Sequence, residues 1–452
     1  MSEKEYDLFV IGNGSAGEAA ISTAVGIGAK VATAEKEFLG GDCPNIACVP
    51  TKALLRSGEI FRLIKNAQEF GLDVGNISFD WPRILARKEK VVARQNEGAK
   101  GRLKDEGVDL FWGEAVFQDK NTVKVGNEVI KAKNILIAAG SDPAIPPIPG
   151  LPETGFITSD QAVSIPQLPK SIIIVGAGAV GIEFSQLFSR FGVAVSLVEG
   201  FDRIMPPADS EISAALKEHL EGEGVKVYTS AKVAGFKKVG TEKVASVDIG
   251  GQQQEIKAEE VFIATGRKPD FAKLNLEATG VQTDKKGVIV DDFLRTNVPN
   301  IYAAGDITGK MLFTHTATYQ GTVAAYNALS GKEYKASYDA VPWIAFSDPP
   351  VAGVGQTEDK CKEVGIKYNV GKWEYKTLGM ARILGEEKGF VKILAGEDET
   401  ILGGHIFGSQ AGELIHEVSL MMHVGAKVSS FGNAIFAFPS LSEVVGSAAS
   451  SI

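Results

Sequence analysis

The chain has 452 residues, enough for two to four domains with ample apolar surface to bury. A formal net charge of -9 and the lack of any basic patch argue against nucleic acid or an anionic membrane as partner. The opening "MSEKEYDLFVIG" has no basic or long apolar leader, and the stretch after it is broken by glycines and Glu18. Neither a secretory signal nor a membrane span is expected, and a cytoplasmic location is.

The first predicted element is an apolar strand running into a glycine-rich turn, "YDLFVIGNGSAGEAAISTAVGIGAKVATAEK". Gly12, Gly14 and Gly17 open a helix-period stretch containing Ser15 and Ala16, and a second apolar strand ends at Glu35. The glycines allow a tight turn and close approach of a pyrophosphate. The helix N-terminus offers amides and a positive dipole end, and the carboxylate is placed to accept from ribose hydroxyls.

Next comes "GGDCPNIACVPTKALL", with Cys43 and Cys48 separated by four residues in a chain of only three cysteines. A structural zinc would need about four Cys or His ligands. There is no second Cys pair, and His219, His315, His405, His416 and His423 are scattered, so no metal site is expected. Two thiols can instead alternate between dithiol and disulfide. Five residues of regular helix rise about 7.5 Å, whereas a disulfide wants Cα atoms roughly 5.5–6 Å apart. The "PNIA" segment must therefore be irregular. A helix is predicted to begin just after Pro50, its N-terminal amides and Lys52 stabilising a thiolate or a reduced flavin anion.

Further along, "NILIAAG" is an apolar strand ending at Gly140, and prolines cluster in "SDPAIPPIPGLP", read as a crossing between domains. "KSIIIVGAGAVGIEFSQLFSRFGVAVSLVEG" then repeats the first plan, with Gly176, Gly178 and Gly181 in the turn and Glu199 at the end. A lone G-x-G-x-x-G is a weak signal, but strand, helix and acidic terminus in register make each copy strong. Two such folds suggest two dinucleotides exchanging electrons, a flavin and a nicotinamide. Glu199 has no adjacent arginine for a 2′-phosphate, which favours NAD over NADP, although Arg203 is close.

"EVFIATGRKPD" ends its strand near Gly266, and "NIYAAGD" ends at Asp306, a carboxylate suited to a cofactor hydroxyl. From Tyr338 the texture becomes β-rich, then helical, which predicts an α+β domain with an antiparallel sheet. Cys361 lies on a charged helix-like segment with nothing nearby to activate it. The expected architecture is α/β: two Rossmann-like dinucleotide-binding domains plus a C-terminal α+β domain. The boundaries are 1–148 and 269–337 for the first dinucleotide-binding domain, 149–268 for the second, and 338–452 for the last.

"GGDCPNIACVPTK" resembles the redox-active segment of the flavoprotein disulfide reductases, the group of dihydrolipoamide dehydrogenase, glutathione reductase and mercuric reductase. The likeness covers essentially the whole chain and is nearest in style to dihydrolipoamide dehydrogenase. It implies FAD on Gly12, Gly14, Ser15, Ala16, Gly17, Glu35, Gly41, Asp42, Lys52, Gly140 and Asp306. It implies NAD(H) on Gly176, Gly178, Val180, Gly181, Glu199 and Gly266. By the same resemblance Cys48 faces the flavin as a charge-transfer thiolate, Cys43 exchanges with substrate, and Lys52 pairs with Glu183. The segment from Tyr338 is then a dimerisation domain, implying a homodimer. The implied reaction passes electrons from NADH through FAD and Cys43–Cys48 to a lipoyl-type or other small disulfide, or runs in reverse.

One motif departs from the family. Dihydrolipoamide dehydrogenase and glutathione reductase carry a stretch resembling H-P-T-x-S-E, whose histidine is the acid/base. Here it is "FAFPSLSE", with Phe438 at the histidine position and Glu443 retained. Phenylalanine cannot carry a proton. Glu443 could serve instead, with its pKa raised by burial, or it could merely satisfy backbone groups. A quinone, a metal ion or a disulfide with a low-pKa leaving thiol would need no internal base. Mercuric reductase carries a C-terminal cysteine pair that "SAASSI" lacks, so efficient mercuric chemistry is not expected. A dinucleotide-binding redox sensor is the alternative outside enzymology.

Overall fold

The computed structural model describes residues 5–269 and 271–452, which form two compact units. The first comprises Met1–Ala53, Leu85–Ala144 and Gly266–Ser337. Its centre is a parallel sheet in the order Asp109–Trp112, Val31–Glu35, Glu5–Ile11 and Glu128–Ile137, with Ile301–Ala303 also pairing alongside Glu128–Ile137. The inner strands are buried along most of their length, as in a sheet covered on both faces, and Leu8, Phe9 and Val10 are fully buried. Thr122–Val125 and Ala115–Asp119 extend the sheet in antiparallel fashion. The helices Ser15–Ile27 and Thr314–Leu329 approach so closely that a Cβ on Gly321 would sit 2.0 Å from the Ala16 carbonyl oxygen.

The Pro-rich stretch predicted as a bare crossing begins with a short strand. Ser141–Pro143 pairs antiparallel with Arg267–Pro269, so the outgoing and returning chains form a two-stranded ribbon in the first unit. Backbone pairing of the two passages explains why so short a segment is ordered.

The second unit comprises Leu54–Ile84, Ile145–Thr265 and Tyr338–Ile452. It holds a second parallel sheet, ordered Lys226–Tyr228, Ala194–Val198, Ser171–Val175 and Glu260–Ile263. A three-stranded antiparallel meander, Ala231–Val239, Glu242–Ile249 and Gln252–Ala258, shares its core through Phe236, Val247, Ile173 and Val261. The predicted elements contain no counterpart to this meander. Residues beyond Tyr338 build a five-stranded antiparallel sheet ordered Trp343–Ala345, Val351–Gly355, Ile401–Gly408, Gly389–Ala395 and Asn369–Glu374. The helices Ala411–His423 and Glu443–Ser450 contribute Leu414, Ile415, Val444 and Val445 to its core. The predicted architecture, two Rossmann-like sheets and a C-terminal α+β domain, is the observed one. Among the described residues no helix is long and apolar enough to cross a membrane.

Candidate active site

The first glycine turn follows from steric necessity. Gly12 has φ +97°, and a Cβ on it would lie 2.4 Å from the Ala138 carbonyl oxygen. A Cβ on Gly17 would lie 2.0 Å from the Gly12 carbonyl oxygen, so the helix Ser15–Ile27 starts directly against the turn. Glu35, almost fully buried, accepts the Asn13 N–H at 2.8 Å with one oxygen and the Lys36 and Glu37 N–H groups, each at 2.8 Å, with the other. Three amides thus fix a carboxylate beside the turn. The redox segment lies against the same turn: a Cβ on Gly41, whose φ is +67°, would come within 2.8 Å of the Gly14 Cα.

An open cleft runs from this turn and is lined by Gly12, Gly14, Ser15, Ala16, Glu35, Gly41, Asp42, Cys43, Cys48, Gly140 and Asp306, all predicted site residues. Gly17 stands behind the turn, and half-buried Lys52 lies one helical turn beyond Cys48. Asp306 accepts from the Ser141 hydroxyl at 2.7 Å; burial pushes its carboxyl up, against the pull of that bond and of Arg267. Arg267 donates to Ser141 Oγ at 2.9 Å and forms an ion pair with Asp42. Ser141, Arg267 and Thr314 also line the cleft and were not among the predicted residues. Arg267 follows a glycine at a strand end and could have been read from that position; Thr314 carries no such signal.

The cysteine pair sits on a broken helix. A short turn Asp42–Asn45 ends at Ile46, φ -134°, and a new helix runs Cys48–Lys65. This is the predicted irregularity, but the helix begins at Cys48 rather than after Pro50. Proline in a first turn lacks only an N–H that would have no intrahelical acceptor, and the Thr51 N–H bonds to the Ala47 carbonyl at 3.1 Å. Cys43 and Cys48 are both thiols here and hydrogen-bond to each other. That bond, then burial, pushes the Cys43 thiol far above the usual thiol range, while Thr314 and the Lys52 charge pull it down. Cys361 is fully buried on the helix Glu358–Val364, and burial raises its thiol.

The second turn repeats the first. Gly176 has φ +103° and its Cβ would meet the Ala264 carbonyl oxygen at 2.4 Å; a Cβ on Gly181 would be 1.9 Å from the Gly176 carbonyl oxygen. Glu199 accepts the Ala177 N–H at 2.7 Å and the Phe201 N–H at 3.0 Å. A Cβ added to Gly178 would meet no atom within 4 Å, and Val180 is exposed. Arg203, the residue that left NADP open, pairs with Asp359 at 2.7 Å. Glu183, buried on the helix Ala179–Arg190, accepts the Phe346 N–H at 3.0 Å. Gly266, φ +100°, belongs to the first unit, where its carbonyl accepts the Ala144 N–H at 2.9 Å.

In the C-terminal stretch Phe438 is 83 % exposed. Glu443, the first residue of its helix, accepts the Ser440 N–H at 2.8 Å, the backbone-satisfying role weighed from sequence.

Residues 6–321 match the pyridine nucleotide-disulphide oxidoreductase family and residues 341–449 its dimerisation domain, which supports a homodimer. The chain is 36% identical over 455 residues to the dihydrolipoyl dehydrogenase of Thermus scotoductus, covering 99% of this chain and 98% of that one. It is 34% identical over 442 residues to the mercuric reductase of Bacillus cereus, covering 97% of this chain and 70% of that one. Among solved structures it is similar to the HOCl-induced flavoprotein disulfide reductase RclA of Escherichia coli, with a TM-score of 0.87, 28% identity, and 98% and 99% of the two chains covered. The Cu(II) complex of RclA superposes with a TM-score of 0.89 at 27% identity, covering 99% of both chains.

The family uses FAD and NAD(P)H, and the first cleft fits FAD on its own evidence of shape and polarity. Two glycines leave no room for a Cβ, Glu35 is held by amides, and the buried Asn13 side-chain nitrogen has no hydrogen-bond partner among the described residues. With both nucleotide turns, the dithiol and the C-terminal sheet in place, the chain belongs to the pyridine nucleotide-disulphide oxidoreductase family.

Proposed function

We propose that the protein is an NAD(H)-dependent flavoprotein that uses Cys43 and Cys48 as a dithiol to reduce a small disulfide whose leaving thiol is already acidic. The observation that carries this reading is the pair of mutually hydrogen-bonded thiols lining the cleft that fits the flavin. When bound, FAD supplies the two-electron link between nicotinamide and dithiol.

Everything else falls to side chains of this chain. Gly12, Gly14 and Gly17 admit the flavin pyrophosphate to the helix N-terminus, and Glu35 and Asp306 offer acceptors to hydroxyls. Gly176, Gly178, Gly181 and Glu199 do the same for NAD(H), with Val180 on the same helix start. Pairing of Arg203 with Asp359 favours NAD, since that guanidinium is already occupied. Lys52 lowers the cost of charge on the dithiol. The Cys43 thiolate attacks one sulfur of the acceptor, forming a mixed disulfide and expelling one thiolate. Cys48, as thiolate, then attacks the Cys43 sulfur, releasing the second thiol and closing the Cys43–Cys48 disulfide. The two expelled thiols take up the two protons the dithiol gave up. With Phe438 in the family's acid/base position and Glu443 bonded to the Ser440 amide, those protons come through solvent. A dihydrolipoyl-type dithiol would therefore turn over slowly, by about 10²–10⁴ relative to an enzyme with the base.

A second reading, reduction of a thiophilic metal ion such as Cu(II), is favoured by the same missing base and by the existence of RclA as a Cu(II) complex. A reducing cytoplasmic setting suits either reading. NADH oxidation by the flavin-loaded enzyme, with dithiodipyridine, lipoamide and Cu(II) as acceptors, tests them together. The expected result is rapid dithiodipyridine turnover, abolished in Cys43→Ser and Cys48→Ser. Turnover with none of these acceptors, or activity that survives both substitutions, would refute the dithiol reading.

A further inference from the structure

The loop that leaves the second nucleotide strand is fastened at both ends. It begins at Glu199, which takes the Ala177 N–H, and ends at Asp209, which caps the helix Ser210–Gly222 by accepting the Glu211 N–H at 3.1 Å. In its middle the Met205 N–H donates to the Ala177 carbonyl at 2.8 Å. Ala177, between Gly176 and Gly178, is thus held through both its amide and its carbonyl by one loop. Met205 makes that bond at φ +48°, a left-handed conformation that a non-glycine residue keeps only where its surroundings impose it.

The far end of the loop rests on a buried ammonium. Lys392, 1 % exposed on the strand Gly389–Ala395, donates to Asp209 Oδ1 at 3.0 Å and Oδ2 at 3.2 Å, and Asp209 is itself completely buried. The same Nζ pairs with Glu358 and, at 3.2 Å, with half-exposed Glu211. Burial works against that charge, but the bonds to Glu358 and Asp209 outweigh it and raise the Lys392 pKa. From the helix Glu358–Val364, Asp359 also takes Arg203 of the loop. One side of the nucleotide turn is therefore tied, within the second unit, to the antiparallel C-terminal sheet.

We propose that Lys392 is a positioning residue for NAD(H): by neutralising Asp209 inside the fold it holds the loop down, keeps Met205 on the Ala177 carbonyl and so fixes the turn that receives the nucleotide. This rests on the proposed NAD(H) site and adds to it a residue that lies outside both glycine turns. Without the ammonium a fully buried carboxylate loses its closest cation and is driven toward water. The loop end then lifts, Met205 relaxes from its left-handed conformation, and Ala177 loses the bond to its carbonyl. The adenylate half of the nucleotide depends on this turn and on Glu199, whereas the nicotinamide ring does not. Loss of Lys392 therefore weakens NADH binding without slowing hydride transfer from NADH that is bound.

The test is the anaerobic bleaching of bound flavin by NADH, which needs no acceptor, followed over a range of NADH concentrations. In Lys392→Met the half-saturating NADH concentration is expected to rise about tenfold, with the limiting rate and the flavin content unchanged. Reduced nicotinamide mononucleotide, which lacks the adenylate half, is expected to bleach wild type and Lys392→Met alike. Lys392→Arg, which keeps a buried cation, is expected to recover most of the NADH affinity. If Lys392→Met does not fold, Asp209→Ser decides: serine still caps the helix Ser210–Gly222 but brings no charge to Lys392, and half-saturation is expected to rise severalfold. An unchanged half-saturation in the folded variant, or an equal loss with both nucleotides, would overturn the proposal. Wild-type flavin that NADH does not bleach would refute the NAD(H) site itself, whereas a mistaken role for Lys392 alone leaves wild-type bleaching intact.

Discussion

The two glycine turns are close copies in their backbones and different in what covers them. Gly12 and Gly176 share φ values of +97° and +103°, and their next-but-four glycines are pressed to 2.0 and 1.9 Å from the same carbonyl. Each terminal glutamate takes an amide from inside its own turn, at 2.8 and 2.7 Å. Yet a Cβ on Gly14 would meet Gly41 at 3.7 Å, whereas a Cβ on Gly178 would meet nothing within 4 Å. Chain from the redox segment and from the helix Thr314–Leu329 closes over the first turn, while the middle of the second stays open. The same local motif is therefore packed against neighbouring chain in one copy, which suits a cofactor that stays, and bare at its middle glycine in the other, which suits a cofactor that exchanges.

Substitutions at matched positions would break that contrast if it is wrong. The largest effect is expected for Gly12→Ala, which combines a backbone clash with a positive φ: the protein should lose bound flavin and about 3 kcal/mol or more of stability, read by absorbance and denaturant melts. Gly176→Ala carries the same local clash but should retain flavin and lose NADH oxidation. If both variants lose flavin equally, the two turns are not functionally separate. Gly41→Ala should likewise release flavin, because its Cβ would meet the Gly14 backbone at 2.8 Å. Gly178→Ala should only raise the NADH KM several-fold.

Smaller effects sharpen the assignment of the open turn. Asp359→Asn frees the Arg203 guanidinium, and the ratio of NADPH to NADH turnover should rise about tenfold; an unchanged ratio would mean that Arg203 cannot reach a 2′-phosphate. The smallest effect concerns the far end of the helix Ala179–Arg190. There Arg190 binds Glu223 at 2.7 Å, and hydrogen bonds from His219 and Arg190 overcome burial to hold the Glu223 carboxyl at about 2. A depressed carboxyl stabilises the fold above its ordinary pKa and loses that effect as pH falls toward 2. Glu223→Gln should therefore cost roughly 1–2 kcal/mol at neutral pH and progressively less in acid, measured by denaturant titration across pH.

Both turns, both acidic strand ends and the close cysteine pair were readable because each is a local pattern: spacing within some 25 residues fixes which backbone can approach which ligand. The helix start at Cys48 was misread by three residues, since proline is as acceptable inside a first turn as before it. Glu443 was legible as a retained residue and, in one reading, as a satisfier of backbone groups, but that the Ser440 amide is the one it takes depends on how the chain turns between them. The antiparallel meander and the Ser141–Pro143 ribbon escaped because polar two-sided strands carry little periodic signal.

Sequence alone determined that the protein holds two dinucleotides and a dithiol, because glycine sterics and short-range cysteine geometry are written into adjacent residues. Only the tertiary structure decided that Thr314, 266 positions from Cys48, meets its sulfur, and that Arg203 turns to Asp359. Those contacts are made by side chains distant in sequence, whose partners are chosen by the packing of whole sheets and helices rather than by any pattern along the chain.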